Sequence, residues 1–211
     1  MKAKSSTSHN PGTQLHSLPW EPSKDRLKGG YAPLILESAA AQILRGLPTL
    51  VVADTTDQAS TVHLALKTLL QPTKTKAQSK ALKNAKATLD ARRLEDLKGL
   101  LGQPEYFDGN PANMGTQQFM QYVASADRSQ NVKLIVTSKT DYLGVNFWPL
   151  CHVLALRFPS TREELDQLCG RSNRTDPNGV RHLTLPLTEG RTIDTFETLE
   201  STLTHKRKPP R

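Results

Sequence analysis

Two rhythms of apolar residues alternate along the chain. In the first, short aliphatic runs bounded by polar residues mark buried strands: Thr49-Leu50-Val51-Val52-Ala53, Val132-Lys133-Leu134-Ile135-Val136-Thr137, Cys151-His152-Val153-Leu154-Ala155-Leu156, and Val180 to Leu187 after the Pro177-Asn178-Gly179 turn. A shorter run, Glu105-Tyr106-Phe107, stops at the turn signal Asp108-Gly109-Asn110-Pro111. In the second rhythm the spacing is helical. Leu34, Ile35, Ala39, Ile43 and Leu44 predict a helix from Pro33 to Arg45, closed by Gly46 and Pro48. Further helices are expected from the polar Asp54-Thr55-Thr56-Asp57 through Leu69, from Gly115 to Ala126 with Phe119, Met120 and Val123 inward, from Ser160 onward, and from Ile193 to Leu203. Strands alternating with helices give an α/β fold, a parallel sheet flanked by helices, in which ligands bind beyond the carboxyl ends of the strands.

Three segments stand outside this alternation. Residues 1–30 are rich in Ser, Thr and Pro and basic, and read as a flexible or partner-docked arm. Residues 72–100 carry Lys74, Lys76, Lys80, Lys83, Lys86, Arg92, Arg93 and Lys98 on an Ala/Leu background, with Leu82, Ala85, Leu89 and Leu97 in partial helical register. One basic helical insertion is expected there, either a solvated face or a track for a phosphate backbone. A basic tail, Lys206-Arg207-Lys208-Pro209-Pro210-Arg211, closes the chain. The remaining 31–204 are expected to form one domain, which suits a length of 211 residues.

A net charge of +8 favours a polyanionic partner, since Lys and Arg displace counterions from phosphates. The two cysteines, Cys151 and Cys169, support neither a disulfide framework nor a zinc site, and no metal site is expected. Met1-Lys2-Ala3-Lys4 leads into polar residues and no apolar run approaches bilayer length, so the expectation is a soluble protein of the cytoplasm, nucleus or virion interior.

The chemistry concentrates between Ser160 and Arg174. Ser160 is placed to cap a helix, with Glu163 three residues on to reach back as in a capping box. On that helix Gln167, Arg171 and Arg174 fall at i, i+4 and i+7, on one face, while Leu165, Leu168 and Cys169 fall on the others. Such a polar face is ordinarily a solvated one, and its neighbours along the chain are what give it meaning.

Those neighbours resemble motifs V and VI of superfamily 2 helicases and translocases. The residues are Ser138-Lys139-Thr140-Asp141-Tyr142-Leu143-Gly144-Val145-Asn146-Phe147, an apolar strand, Phe158-Pro159-Ser160-Thr161, and Gln167-Leu168-Cys169-Gly170-Arg171-Ser172-Asn173-Arg174. The similarity is nearest to the translocase-like ATPases of large DNA viruses and the chromatin-remodelling branch. More weakly, Thr49 to Asp57 resembles the motif IV strand and loop. The resemblance implies a single RecA-like lobe, the second of the two in such enzymes. It implies that Gln167 contacts the nucleotide, that Arg171 and Arg174 face the γ-phosphate as arginine fingers, and that Gly144 and Asn146 lie in the motif V loop beside it. Ser138, Lys139 and Thr55 are implied as nucleic-acid contacts. ATP and magnesium are implied only with a partner lobe, because these 211 residues hold no Gly-x-x-x-x-Gly-Lys-Ser/Thr phosphate loop. Two functions follow as expectations: the second lobe of a split helicase, completed by a separate chain and acting on DNA or RNA, or a helicase-derived nucleic-acid-binding adaptor without catalysis.

Overall fold

The computed structural model describes residues 12–18, 31–71, 76, 91–107, 133–141, 152–171, 178–186 and 196–205. Among them are six strands: β1 Thr13–Leu18, β2 Thr49–Ala53, β3 Glu105–Phe107, β4 Leu134–Ser138, β5 His152–Ala155 and β6 Arg181–Pro186. The helices are α1 Tyr31–Ile43, α2 Thr56–Leu70, α3 Ala91–Leu101, α4 Arg162–Arg171 and α5 Phe196–His205. The strands form one sheet in the order β1-β6-β5-β2-β4-β3, parallel throughout.

Every residue of β2, β4 and β5 is buried, which is why their sequences read as unbroken apolar runs rather than alternating ones. Alternate side chains feed two cores. Val51, Ala53, Leu134, Val136, Leu154 and Leu156 pack with α1, α2 and α3. Leu50, Val52, Ile135, Val153, Ala155 and Leu183 pack on the opposite face with Leu165, Leu168 and Cys169 of α4 and Leu199 and Leu203 of α5.

The helix ends show why the chain turns where it does. After α1, the Leu47 N–H donates to the Gln42 carbonyl at 3.1 Å and the Gly46 N–H to that of Ile43 at 2.9 Å, a Schellman closure that needs the left-handed Gly46, φ 78°. Leu47 is then buried and Thr49 starts β2.

The expected arm is not wholly an arm. Residues 13–18 are the edge strand β1, registered from Thr13 on Arg181 to Leu18 on Pro186. The pattern Gln14-Leu15-His16-Ser17-Leu18 hid it, because an edge strand needs little apolar content on its outer side. Within the basic stretch, α3 starts at Ala91, and Lys76 is also helical. Lys74, Lys80, Lys83 and Lys86, and the helix expected at 115–126, lie outside the described residues. Arg93 meets Glu37 of α1 through two hydrogen bonds of 2.8 and 2.5 Å, and Lys98 pairs with Glu95 at 2.8 Å. Arg93 therefore ties α3 to α1, and the Lys98 pair lies within α3. The last helix is described from Phe196 to His205, and 193–195, where it was expected to begin, lie outside the described residues.

Candidate functional site

Three chain segments converge beyond the carboxyl ends of β2, β4 and β5: Asp54 to Gln58, Ser138 to Asp141, and Arg157 to Glu164. Two of them open helices, and both do so with the same device. At α2 the Gln58 N–H donates to Thr55 Oγ1 at 3.2 Å, and Gln58 Oε1 accepts from the Asp54 N–H at 2.6 Å. At α4 the Glu164 N–H donates to Thr161 Oγ1 at 3.2 Å, and Glu164 Oε2 accepts from the Ser160 N–H at 2.8 Å. The expected box of Ser160 with Glu163 is thus displaced by one residue. Thr161 is the cap and Glu164 reaches back, because Glu164 points toward the sheet and is buried whereas Glu163 is exposed.

Ion pairs tie these starts together. Arg157 donates to Asp54 at 2.7 Å and reaches Ser160 Oγ at 3.5 Å. Lys139 pairs with the second oxygen of Glu164. Burial of Glu164 disfavours its charged form, but the Lys139 ammonium and the Ser160 donors outweigh it and hold the carboxyl below its ordinary value. A small cleft opens here, its walls formed by Ala53, Asp54, Lys139, Arg157, Glu164 and Leu168 among others. Asp54, Arg157 and Glu164 were not singled out by the sequence. The available signal was the single arginine directly after a buried strand, opposite the single aspartate directly after another.

The expected site residues are distributed unevenly around this cleft. Thr55 is exposed and caps α2. Ser138 is buried, and its hydroxyl is engaged with Asp141 at 2.5 Å and Thr140 at 2.9 Å. Asp141 in turn accepts from Thr56 at 3.0 Å, which binds the end of β4 to the start of α2. Gln167 is exposed on α4, while Leu165, Leu168 and Cys169 are buried beneath it. Burial pushes the Cys169 thiol up to about 12, which makes it a packing residue rather than a nucleophile. Arg171 is the last residue of α4, one turn beyond Gln167. Gly144, Asn146 and Arg174 lie outside the described residues. Among the described residues, no group of three or more His, Cys, Asp or Glu side chains is placed to hold a metal ion. No described helix is long and apolar enough to cross a membrane.

Similar architecture occurs in solved structures. Helicase Lhr of Mycobacterium smegmatis, in a structure bound to ssDNA and AMP-PNP, superposes with a TM-score of 0.50 at 12% identity, covering 83% of this chain and 19% of that one. The chain has a RecA-like α/β fold. Two structures of Mss116p are also similar. One, bound to ssRNA and AMP-PNP, has a TM-score of 0.48 at 16% identity and covers 84% of this chain and 28% of that one. The other, DEAD-box helicase domain 2 bound to an RNA duplex, has a TM-score of 0.45 at 15% identity and covers 83% and 54%. No protein-family profile and no curated protein sequence matches the chain. The RecA-like chain therefore corresponds to a small part of the Lhr polypeptide it resembles.

Proposed function

We propose that this RecA-like domain works as the second lobe of a superfamily 2 helicase or translocase, binding nucleic acid and presenting α4 to a nucleotide held on another lobe. The observation that carries the reading is the disposition of α4. Its apolar residues are locked against the sheet, its first turn lies at the sheet edge where α/β proteins bind ligands, and the exposed Gln167 and then Arg171 follow along it. The likeness to Lhr, whose structure holds ssDNA and AMP-PNP, supports the same reading. The resemblance to viral and remodelling translocases is its finer form.

In this reading Gln167 contacts the nucleotide, and Arg171 and Arg174 approach the γ-phosphate. A guanidinium suits that place because its planar donors hold two phosphoryl oxygens as charge builds in the transition state. The chemistry ATP supplies is phosphoryl transfer to water. Magnesium does not fit the described residues: Asp54 and Glu164, the carboxylates at the cleft, are each occupied by a cation of the chain. The metal is thus assigned to the lobe with the phosphate loop, a separate chain in this proposal. Nucleic acid would run over the loops after β2 and β4, with the exposed Thr55 hydroxyl available to donate to phosphate.

The test is to combine the chain with a phosphate-loop lobe that co-purifies with it and measure nucleic-acid-stimulated ATP hydrolysis. Arg174→Ala is expected to lower kcat by about a thousandfold. Full activity in that variant ends the arginine-finger role. Salt-dependent nucleic-acid binding indifferent to ATP, with no hydrolysis in the mixture, would instead favour the adaptor function.

A further inference from the structure

A lysine that opens a motif V-like run, as Lys139 does, is expected to meet phosphate. Its position in the fold gives it different work. The Lys139 N–H donates to the Ala53 carbonyl at 2.8 Å, so its backbone is pinned to the end of β2. Its ammonium pairs with Glu164, a carboxylate only 8% exposed. The other oxygen of Glu164 accepts from both the N–H and the O–H of Ser160, each at 2.8 Å. The carboxylate's described hydrogen-bond and ion-pair partners are thus Ser160, just ahead of α4, and Lys139, just after β4.

We propose that Lys139 is a positioning residue rather than a phosphate contact: its ammonium holds Glu164 and thereby fixes the first turn of α4, the helix whose sequence carries Gln167 and Arg171. Two physical arguments favour this. Moving Lys139 onto a phosphate would take from the buried Glu164 the cation paired with it, and a buried charge that has lost its partner is the costly half of a broken pair. A phosphate close enough to share Lys139 would also meet the negative charge of Glu164. The assignment rests on the reading of α4 as the phosphate-facing helix.

Two measurements on the full chain test it. The first is binding to a single-stranded oligonucleotide over a salt series. A lysine that neutralises a phosphate contributes about 0.7 to the slope of log affinity against log salt. Lys139→Gln is expected to leave that slope unchanged, and its loss of affinity is expected to match that of Glu164→Gln and of the double variant, since the two residues act as one unit. A slope reduced by about 0.7 in Lys139→Gln overturns the proposal.

The second measurement needs no nucleic acid. Amide hydrogen exchange across 157–171 is expected to quicken about tenfold in Lys139→Gln and in Glu164→Gln, no further in the double variant, and to return to the wild-type rate in Lys139→Arg. Unchanged exchange in Lys139→Gln overturns the proposal. If the wild-type chain fails to bind the oligonucleotide even at low salt, the helicase-lobe reading fails, and the exchange result alone still decides whether Lys139 positions α4.

Discussion

The two ends of the sheet settle polar groups beside apolar strands by opposite means. At the carboxyl end the groups are charged and paired: Asp54 with Arg157, Glu164 with Lys139. Toward the amino end, on the face covered by α1, they are Thr49, His152, His182 and Thr184, all buried, with the half-buried His16 beside them. His152 bonds to the Thr49 hydroxyl at 2.9 Å and to the Thr184 hydroxyl at 2.7 Å. His16 Nε2 lies 3.0 Å from His182 Nδ1, with the rings stacked at 5.3 Å. The helix directions account for the contrast. In a parallel sheet with helical crossovers, helix amino termini gather at the carboxyl edge, and their positive ends favour carboxylates such as Asp57, Glu163 and Glu164 in the first turns. The other end gathers helix carboxyl termini, whose field has the opposite sign, and its cluster is closed by Thr and His partners. A site for an anionic ligand belongs at the first end, and the second is built for cohesion.

The largest expected effect comes from opening the neutral end. His152→Leu deprives the Thr49 and Thr184 hydroxyls of their buried partner, at about 1–3 kcal/mol each. Urea unfolding is expected to show a loss of about 2–6 kcal/mol with no change in the m-value. Adding Thr49→Val and Thr184→Val to His152→Leu is expected to recover most of that loss, because an apolar trio has nothing left unpaired. If the triple variant is no better than the single one, ring packing rather than hydrogen bonding holds this end.

What the sequence disclosed differs between the two ends for the same reason. Two strands were legible residue by residue: the run Thr49 to Ala53 is β2, buried throughout, and Glu105 to Phe107 is the edge strand β3, marked in the sequence by the turn signal that follows it. The apolar side of α4 was legible from Leu165, Leu168 and Cys169. The histidine cluster was not, since His16, His152 and His182 are far apart in the chain and meet only through the β1-β6-β5 pairing. The true cap of α4 was missed because Ser160 and Thr161 are both good caps, and the choice between them follows Glu164, which is buried against the sheet and paired with Lys139, twenty-five positions earlier in the chain. Local pattern finds elements; long-range partners decide what polar residues do.

Acid separates the two ends in sequence. Burial, followed by the nearby His182 and Arg45, lowers His16 to about 4, and burial followed by His16 and His182 lowers His152 well below its ordinary 6.5. A histidine whose folded value is depressed binds its proton more readily in the unfolded chain. Its contribution is therefore complete above about 6.5 and declines as pH falls toward 4. Glu164 is also depressed, but as an acid it contributes fully above about 4.5 and is lost only as pH falls through its lower folded value. Stability measured from pH 7 downward is expected to fall first by loss at the histidine end, and a second loss at the carboxylate end follows below pH 4.5. His16→Asn is expected to flatten the first decline and leave the second. A first decline unaltered in that variant removes His16 as its source.

The smallest effect is expected from Asp54→Asn, and its smallness is informative. The Asp54–Arg157 pair is well formed at 2.7 Å, but the two side chains are 36% and 45% exposed, so water already solvates both charges. Exposed pairs of this kind contribute about 0–1 kcal/mol, and the asparagine keeps the backbone N–H that bonds to Gln58. Urea unfolding of Asp54→Asn is expected to lie within about 1 kcal/mol of wild type, with the difference vanishing at high salt. The charge it releases on Arg157 faces the cleft, so nucleic-acid affinity at low salt is expected to rise even as stability slips. A loss above about 2 kcal/mol would mean that the pair is a structural strut. The carboxyl end would then differ from the amino end only in charge, whereas a small loss marks it as the part of the sheet edge left adjustable for a ligand.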